Sequence, residues 1–330
     1  MTIRVAVNGY GVIGKRVADA VRLQTDMDLV GACDLADDWR TGVARALGIQ
    51  VYSPSGEGRA GSLEDMTRAA DLVVDCTPKG VAAKNAKLYS RLGVKFIVQG
   101  GEKHDVTGHS FVAEANYASA LDRASTRVVS CNTTSIVRVF GALRRAGLLR
   151  RARGTLLRRA LDPWESHLGG IMNTLVPEPH IPSHQGPDAR TVDPALDLVT
   201  MAVKVPETIG HMHFWAADLE AAPTRELVRD VLAASPRVMF VRERDGLGAM
   251  NAVKERMLDL GRPRGDLYEV AMLEETLTVE NGELFCAYMV DNQAIVVPET
   301  IDAIRALMGA ERDAVASMAK TNRALAIAMT

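Results

Sequence analysis

Over its first 130 residues the chain alternates short apolar runs with amphipathic ones. Ile3–Val7 is apolar at four of five positions, as a strand covered on both faces requires. Val12–Leu23 carries Val12, Ile13, Val17, Ala20 and Val21 at helical spacing. Asp28–Cys33, Asp71–Cys76 and Val94–Val98 repeat the strand pattern, and the alternation predicts an α/β fold with a doubly wound parallel sheet. After about residue 150 long apolar runs follow one another: Leu196–Val205, His211–Leu219 and Val238–Arg242. Leu267–Val279 and Glu283–Val290 then form a hairpin pattern around Asn281-Gly282. This half predicts an α+β domain with a mixed or antiparallel sheet. Pro298 opens a helical run over Ile301–Met308, and Arg312–Met329 is expected to return to the first domain. The boundaries that follow are 1–131 with 299–330, and 132–298. Pro177–Pro194, rich in proline, histidine and glycine, reads as a surface loop.

Bulk numbers narrow the function classes. A length of 330 residues accommodates two cores, and 47% hydrophobic with 24% charged residues is ordinary for a globular protein. A formal net charge of −2 gives no support to nucleic-acid or membrane-surface binding. No apolar stretch approaches the roughly 20 residues of a bilayer span. Met1–Gly9 runs into a strand with no apolar signal core, and Cys33, Cys76, Cys131 and Cys286 are too scattered for a disulfide framework or a CxxC metal pair. The expectation is a cytoplasmic protein without a metal site.

Two motifs carry chemistry. Gly9-Tyr10-Gly11-Val12-Ile13-Gly14 follows a strand and opens a helix, the context of a dinucleotide fingerprint. The first glycine permits the turn, the second admits the pyrophosphate, and the third lets helix and strand pack closely. Asp34 ends the second strand, where a carboxylate holds ribose hydroxyls and repels a 2′-phosphate, so NAD is favoured over NADP. The second motif is Ser130-Cys131-Asn132-Thr133-Thr134, between apolar Val128-Val129 and a helical run from Ser135. A thiol at a helix start is expected to ionise more readily, and the thiolate is the nucleophile. Flanking hydroxyl and amide groups supply donors for a carbonyl or for phosphate. His211 and His213 share one face of a strand, either toward such a site or toward solvent. Arginines 144, 145, 150, 151 and 153 read as a solvated face, whereas Arg158-Arg159 ends an apolar run and suits a phosphate. His184-Gln185 could add donors.

The stretches VAVNGYGVIGKRVADA, DLVVDCTPKGV, QGGEK, RVVSCNTTS, LLRRALDP, NTLVPEPHIPSHQGPD, GHMHF and IVVPETIDAIRA resemble the archaeal-type (type II) glyceraldehyde-3-phosphate dehydrogenases along almost the whole chain. The resemblance implies a homotetramer of Rossmann and catalytic domains, acting in glycolysis. It further implies that Cys131 attacks the aldehyde of glyceraldehyde 3-phosphate while His211 serves as base. Oxidation by NAD or NADP would give a thioester, which inorganic phosphate releases as 1,3-bisphosphoglycerate. Cofactor contacts fall on Val12, Ile13, Gly101, Arg159 and Asn292. Substrate contacts fall on Ser130, Asn132, Thr133, Arg158, His184 and Gln185. Three positions depart from the family pattern. Asp34 replaces a lysine suited to NADP, Gln185 replaces the second histidine of SHH, and Asp291-Asn292-Gln293-Ala294 replaces HQES. Glutamine carries no charge, so the phosphate grip is altered. Two alternatives accompany this reading: a dehydrogenase of another phosphorylated or phosphonate aldehyde or semialdehyde, and a non-catalytic cofactor-binding regulatory protein.

Overall fold

The structure, a computed structural model, describes residues 2–57, 59–162 and 173–327. It resolves into two compact units, Met1–Ser130 with Val296–Ala326, and Cys131–Ile295.

Among the described residues the first unit contains seven strands: β1 (Ile3–Asn8), β2 (Met27–Cys33), β3 (Val51–Tyr52), β4 (Leu72–Asp75), β5 (Lys95–Gln99), β6 (Ser110–Phe111) and β7 (Ser125–Val128). They order as β3-β2-β1-β4-β5-β7-β6, and every pair is parallel. Helices α1 (Val12–Arg22), α2 (Trp39–Ala46), α3 (Leu63–Ala69), α4 (Ala82–Leu92) and α5 (Ala113–Asn116) lie between strands, and α10 (Val297–Met308) and α11 (Ala314–Ala324) belong to the same unit. Val5, Ala6, Val7, Leu72, Val73 and Val74 are wholly buried, as parallel strands covered on both faces require. The strand order reverses between β1 and β4, which opens a crevice at their C-terminal ends. Buried Asp75 shapes that crevice. Its carboxylate accepts from Asn8 Nδ2 (3.1 Å), Asn85 Nδ2 (2.9 Å), Tyr89 Oη (2.7 Å), the Thr77 N–H (3.0 Å) and the Thr77 hydroxyl. Arg305 of α10 donates to Asp26 (2.7 and 2.9 Å), Gln24 Oε1 (2.8 Å) and Thr321 Oγ1 (2.6 Å), which ties both C-terminal helices to the β2 entry turn.

The second unit is built on a mixed sheet of β8 (Leu149–Arg159), β9 (Val176–Pro177), β10 (Leu198–Val205), β11 (His211–Leu219), β12 (Val238–Val241), β13 (Val270–Leu273), β14 (Thr278–Glu280) and β15 (Glu283–Val290). Its order is β12-β13-β15-β11-β8-β10-β9, with β14 beside β15. Helices α6 (Cys131–Arg145), α7 (Gln185–Arg190), α8 (Arg225–Ala233) and α9 (Met250–Asp259) complete the unit. Helix α6 packs on the inner face of β8 and β15. There Phe140 meets Trp215 at 4.4 Å between ring centroids, and Gly154 leaves room for the indole, since a Cβ would stand 2.4 Å from it. Arg138, wholly buried, donates to the Tyr268 carbonyl (2.7 Å) and the Ile295 carbonyl (3.1 Å) and so fixes α6 in place.

Three local expectations are corrected. The first hairpin arm is two strands, because a 3₁₀ turn at Glu274–Thr276 separates β13 from β14 while both still pair with β15. The loop at 177–194 contains α7, whose Gln185 and Ala189 are wholly buried. Finally, α6 begins at Cys131 rather than near Ser135, so the polar residues after the thiol form the helix's first turn. Ser and Thr are tolerated there because their hydroxyls bond locally; Ser135 Oγ donates to the Asn132 carbonyl at 2.8 Å.

Arg138→Met keeps the bulk of the side chain but leaves two buried carbonyls without those donors. We expect a loss of about 2–4 kcal/mol in urea unfolding; a loss below about 1 kcal/mol would contradict the assigned role.

Candidate active site

Cys131 is the first residue of α6, and its Sγ lies 3.4 Å from Nε2 of His211. His211 opens β11, paired with Arg158 on one side and Val290 on the other. Of the two orientations open to the strand histidines, the structure selects the inner face for both. His211 is 7% exposed and His213 is fully buried. Nε2 of His213 contacts Asn132 Oδ1 at 2.9 Å, and its Nδ1 contacts Tyr288 Oη at 3.0 Å. Consecutive residues of the first turn of α6 thus dock onto alternate residues of one strand. His211 and Cys131 were visible in the sequence. Tyr288 was not, because only the β11–β15 register places it opposite His213.

The backbone N–H of Arg159 donates to His211 Nδ1 at 3.0 Å. A backbone N–H only donates, so Nδ1 is the unprotonated nitrogen and Nε2 carries the hydrogen in the neutral ring. The ring therefore presents a donor to Sγ. Accepting a proton at Nε2, the base role implied by the family resemblance, would need the tautomer that breaks the Arg159 bond. Burial first, then the charges of His213, Arg159 and Arg158, push His211 well below the ordinary histidine value. The thiol departs from expectation. Burial pushes Cys131 up, and Asp291 adds to this, against the opposing pull of Arg159, the Asn132 N–H and Arg158. The helix start alone does not yield a low thiol pKa here, because desolvation of the anion outweighs it.

The remaining expected substrate residues make the following contacts. Arg158 and His184 both contact Glu178, at 2.7 and 3.0 Å. Thr133 Oγ1 donates to Asp188 of α7 at 2.7 Å. Gln185, expected in an exposed loop, is wholly buried, and neither atom of its amide has a hydrogen-bond partner among the described residues. Arg159 contacts Asp162 at 3.3 Å, which also accepts from Asn292 Nδ2 (3.1 Å) and Gln293 Nε2 (2.9 Å). Buried Oδ1 of Asn292 has no partner among the described residues. Sequence reasoning missed Asp162 and Glu178, acids whose roles appear only once the arginines are in place. Ser130 closes the first unit, with its backbone packed so closely on Gly100 that a Cβ there would stand 2.3 Å from Ser130 N.

In the first unit, Gly9 has φ +90°, and a Cβ would come within 2.8 Å of the Cys76 carbonyl carbon. At Gly14 a Cβ would lie 1.8 Å from the Gly9 oxygen. Gly11 faces open space apart from Arg40, 4.0 Å from a built Cβ, and as N-cap of α1 it offers no side chain to the exposed N–H groups of Val12 and Ile13. This open, uncapped turn fits a dinucleotide pyrophosphate. Asp34 accepts the Tyr10 N–H (2.7 Å) and the Ala36 N–H (2.8 Å), so it also braces the turn. Arg40 lies in a forked pair with Asp38 at 2.7 Å, and Lys15 sits over the Trp39 ring at 5.5 Å; neither cation was singled out in the sequence. Gly101 follows β5 in the turn that carries Gly100, with Lys79 about 3.8 Å from a built Cβ. Among the described residues no group of three or more His, Cys, Asp or Glu side chains could hold a metal, and no helix is long and apolar enough to cross a membrane.

Residues 3–106 match the family described as dihydrodipicolinate reductase, N-terminus, and residues 130–254 match glyceraldehyde 3-phosphate dehydrogenase, C-terminal domain. Similar proteins named glyceraldehyde-3-phosphate dehydrogenase occur in Methanococcoides burtonii (45% identical, covering 98% of this chain and 99% of that one) and in Metallosphaera sedula (43%, covering 93% of each). A third, from Methanothermobacter thermautotrophicus, is 41% identical over 98% of this chain and 99% of its own. With a dinucleotide cradle in one unit and a thiol against an imidazole in the other, the chain belongs to the glyceraldehyde-3-phosphate dehydrogenase family.

Proposed function

We propose that this chain is a phosphorylating glyceraldehyde-3-phosphate dehydrogenase that oxidises its aldehyde through a thioester on Cys131. The observation that carries the reading is the 3.4 Å contact of Cys131 Sγ with an imidazole whose other nitrogen is fixed by Arg159 N–H. The resting thiol first gives its proton to a solvent base; the thiolate then attacks the aldehyde carbon, and the carbonyl oxygen becomes an alkoxide. His211 Nε2–H donates to the thiolate before attack and to that oxygen afterwards. Starting from a thiolate, the sequence needs a donor at oxygen rather than a proton acceptor. A bound nicotinamide supplies the acceptor for the hydride lost from the same carbon, and a thioester remains on Sγ. Inorganic phosphate attacks the thioester carbon, releasing the acyl phosphate and regenerating the thiolate.

The first unit binds the dinucleotide through Gly9, Gly11, Val12, Ile13, Gly14 and Gly101, and Asp34 selects NAD by accepting ribose hydroxyls and repelling a 2′-phosphate. Arg159 and Asn292 are assigned to the nicotinamide on the family resemblance. The free Oδ1 of Asn292 supports this, since it suits a carboxamide NH₂. Ser130, Asn132, Thr133, Arg158, His184 and Gln185 bind the substrate. The partnerless amide of Gln185 supports its part, because a buried donor without a partner costs about 1–3 kcal/mol until one arrives. The same residue favours a second reading, an aldehyde with a different phosphorylated or phosphonate tail. A homotetramer is supported by the outer face of the second unit's sheet. There the row Met201–Thr155–Phe214–Ala287 runs across four strands, with Met201, Phe214 and Phe285 exposed. A cytoplasmic location accords with four free cysteines.

Turnover with glyceraldehyde 3-phosphate, NAD and phosphate is expected to fall at least about 10³-fold in Cys131→Ser, and omission of phosphate is expected to stall the wild type. No turnover of this aldehyde with good turnover of another phosphorylated one would establish the second reading. NADP preferred over NAD would overturn the role of Asp34. In the protein without ligands, alkylation of Cys131 by iodoacetamide should keep rising with pH beyond the ordinary thiol range, because ionisation gains thiolate only above a raised pKa. A plateau reached below pH 7 would contradict the burial argument. Light scattering should give four times the monomer mass, and Phe214→Glu should reduce it by placing a charge in an apolar interface; an unchanged mass in that variant would exclude this face.

A further inference from the structure

The two histidines of β11 are used in parallel. Behind each ring a donor fills Nδ1: the Arg159 N–H for His211, and Tyr288 Oη for His213. In front, each Nε2 meets the first turn of α6: Cys131 Sγ at 3.4 Å and Asn132 Oδ1 at 2.9 Å. An amide oxygen only accepts, so His213 Nε2 carries hydrogen, its Nδ1 accepts, and the phenol of Tyr288 donates. His213 stays neutral because burial pushes it down to about 3. The carboxamide of Asn132 is planar. With Oδ1 held against β11, its NH₂ faces away from the strand, and no hydrogen bond within the described residues engages it. Strand residues i and i+2 stand about 6.6 Å apart, so the Sγ and carboxamide docked on them are neighbours.

We infer that His213 is a positioning residue, locked by Tyr288, that orients Asn132 so that its NH₂ donates to the carbonyl oxygen of the aldehyde as Cys131 attacks. The inference rests on Cys131 being the nucleophile, as proposed above. Together with His211 Nε2–H, the oxygen then receives two fixed donors, one from a strand and one from the helix that carries the thiol. Without the His213 donor, the amide is free to turn and present its oxygen to the developing charge, which repels it.

The test compares Asn132→Ala, His213→Leu, His213→Gln, Tyr288→Phe and the double variant Asn132→Ala/His213→Leu in the intact protein, with glyceraldehyde 3-phosphate, NAD and phosphate. His213→Leu is expected to lower kcat about 10²-fold, in the range found for loss of one oxyanion donor. KM should change less than kcat, since the amide's donor counts most once charge has developed on the oxygen, and the iodoacetamide rate of Cys131 should hold within about twofold, since thiol ionisation does not use this amide. His213→Gln, which keeps a donor near the Nε2 position, should recover most of kcat. The double variant should be no slower than Asn132→Ala alone. Wild-type kcat in His213→Leu, or additive losses in the double variant, would overturn the inference. If His213→Leu does not fold, Tyr288→Phe decides. It frees the ring to take the other tautomer and should slow kcat about tenfold, and an unchanged kcat overturns the lock. Failure of the underlying reading looks different: the wild type would not oxidise the aldehyde, or Cys131→Ser would. In that case ¹⁵N spectra of the labelled histidines still decide the lock, with His213 expected as Nε2–H and an Nδ1–H signal overturning it.

Discussion

Everything at the candidate active site depends on one docking contact, the first turn of α6 against the inner face of β11. It is a polar contact placed where the surrounding sheet is apolar. Leu156, Trp215 and Ala217 share that inner face and are buried. Burying two imidazoles, a thiol and a carboxamide there is tolerable only if each finds a partner, because an unpaired buried polar group costs about 1–3 kcal/mol. On the strand side both imidazoles are paired. His211 is satisfied by Arg159 N–H and Sγ, and His213 by Tyr288 and Asn132. The demand for satisfaction dictates the tautomers, and the tautomers dictate which way hydrogen points. Chemistry at the thiol is thus a consequence of packing rules.

The same contact decides the electrostatics. Apolar walls disfavour both thiolate and imidazolium, so the resting pair is thiol and neutral imidazole. Arg158 and Arg159 work against that preference at the thiol, yet each is partly neutralised, by Glu178 and Asp162. Asp291 next to the site adds negative charge, although Lys254 holds its carboxylate at 2.6 Å. The cations therefore remain near the thiol while their net field is reduced. On the proposed function, an anionic substrate would compete with Glu178 for Arg158 and His184 and so change the charges that set the thiol's ionisation.

Legibility in the sequence followed the range of the interaction. The parallel sheet of the first unit was readable because β1 and β4 are apolar almost throughout, and the glycine turn because each glycine serves a local purpose: φ at Gly9, contact at Gly14, open approach at Gly11. Cys131 and His211 were readable as residue types in context. What stayed hidden required register. Nothing in the letters at 288 marks Tyr288 as a partner of His213; that follows only from β15 pairing antiparallel to β11. The start of α6 was misplaced because Asn-Thr-Thr favours caps and turns, a local preference that Arg138 and the Phe140–Trp215 contact override. Gln185 was misread for the opposite reason: polar letters between prolines suggested solvent, while α7, which packs on α6 and whose Gly186 N–H donates to Thr200, buries the residue.

These cases share a physical origin. A polar residue is ambiguous in sequence because it is stable either in water or beside a buried partner, and the two outcomes differ only in what a distant segment supplies. His211, His213, Asn132 and Gln185 all met this ambiguity and all resolved to the interior. Three of them have partners from other elements. Gln185 has none among the described residues, although a glutamine amide offers two donors and an acceptor. Both histidines and the Asn132 oxygen are paired while this whole amide is idle, the pattern expected where the partner is a molecule that comes and goes. The proposed role of Gln185 at the substrate's tail rests on that idle amide, and with it the proposal that this chain departs from its family's pattern at the tail rather than at the reacting carbon.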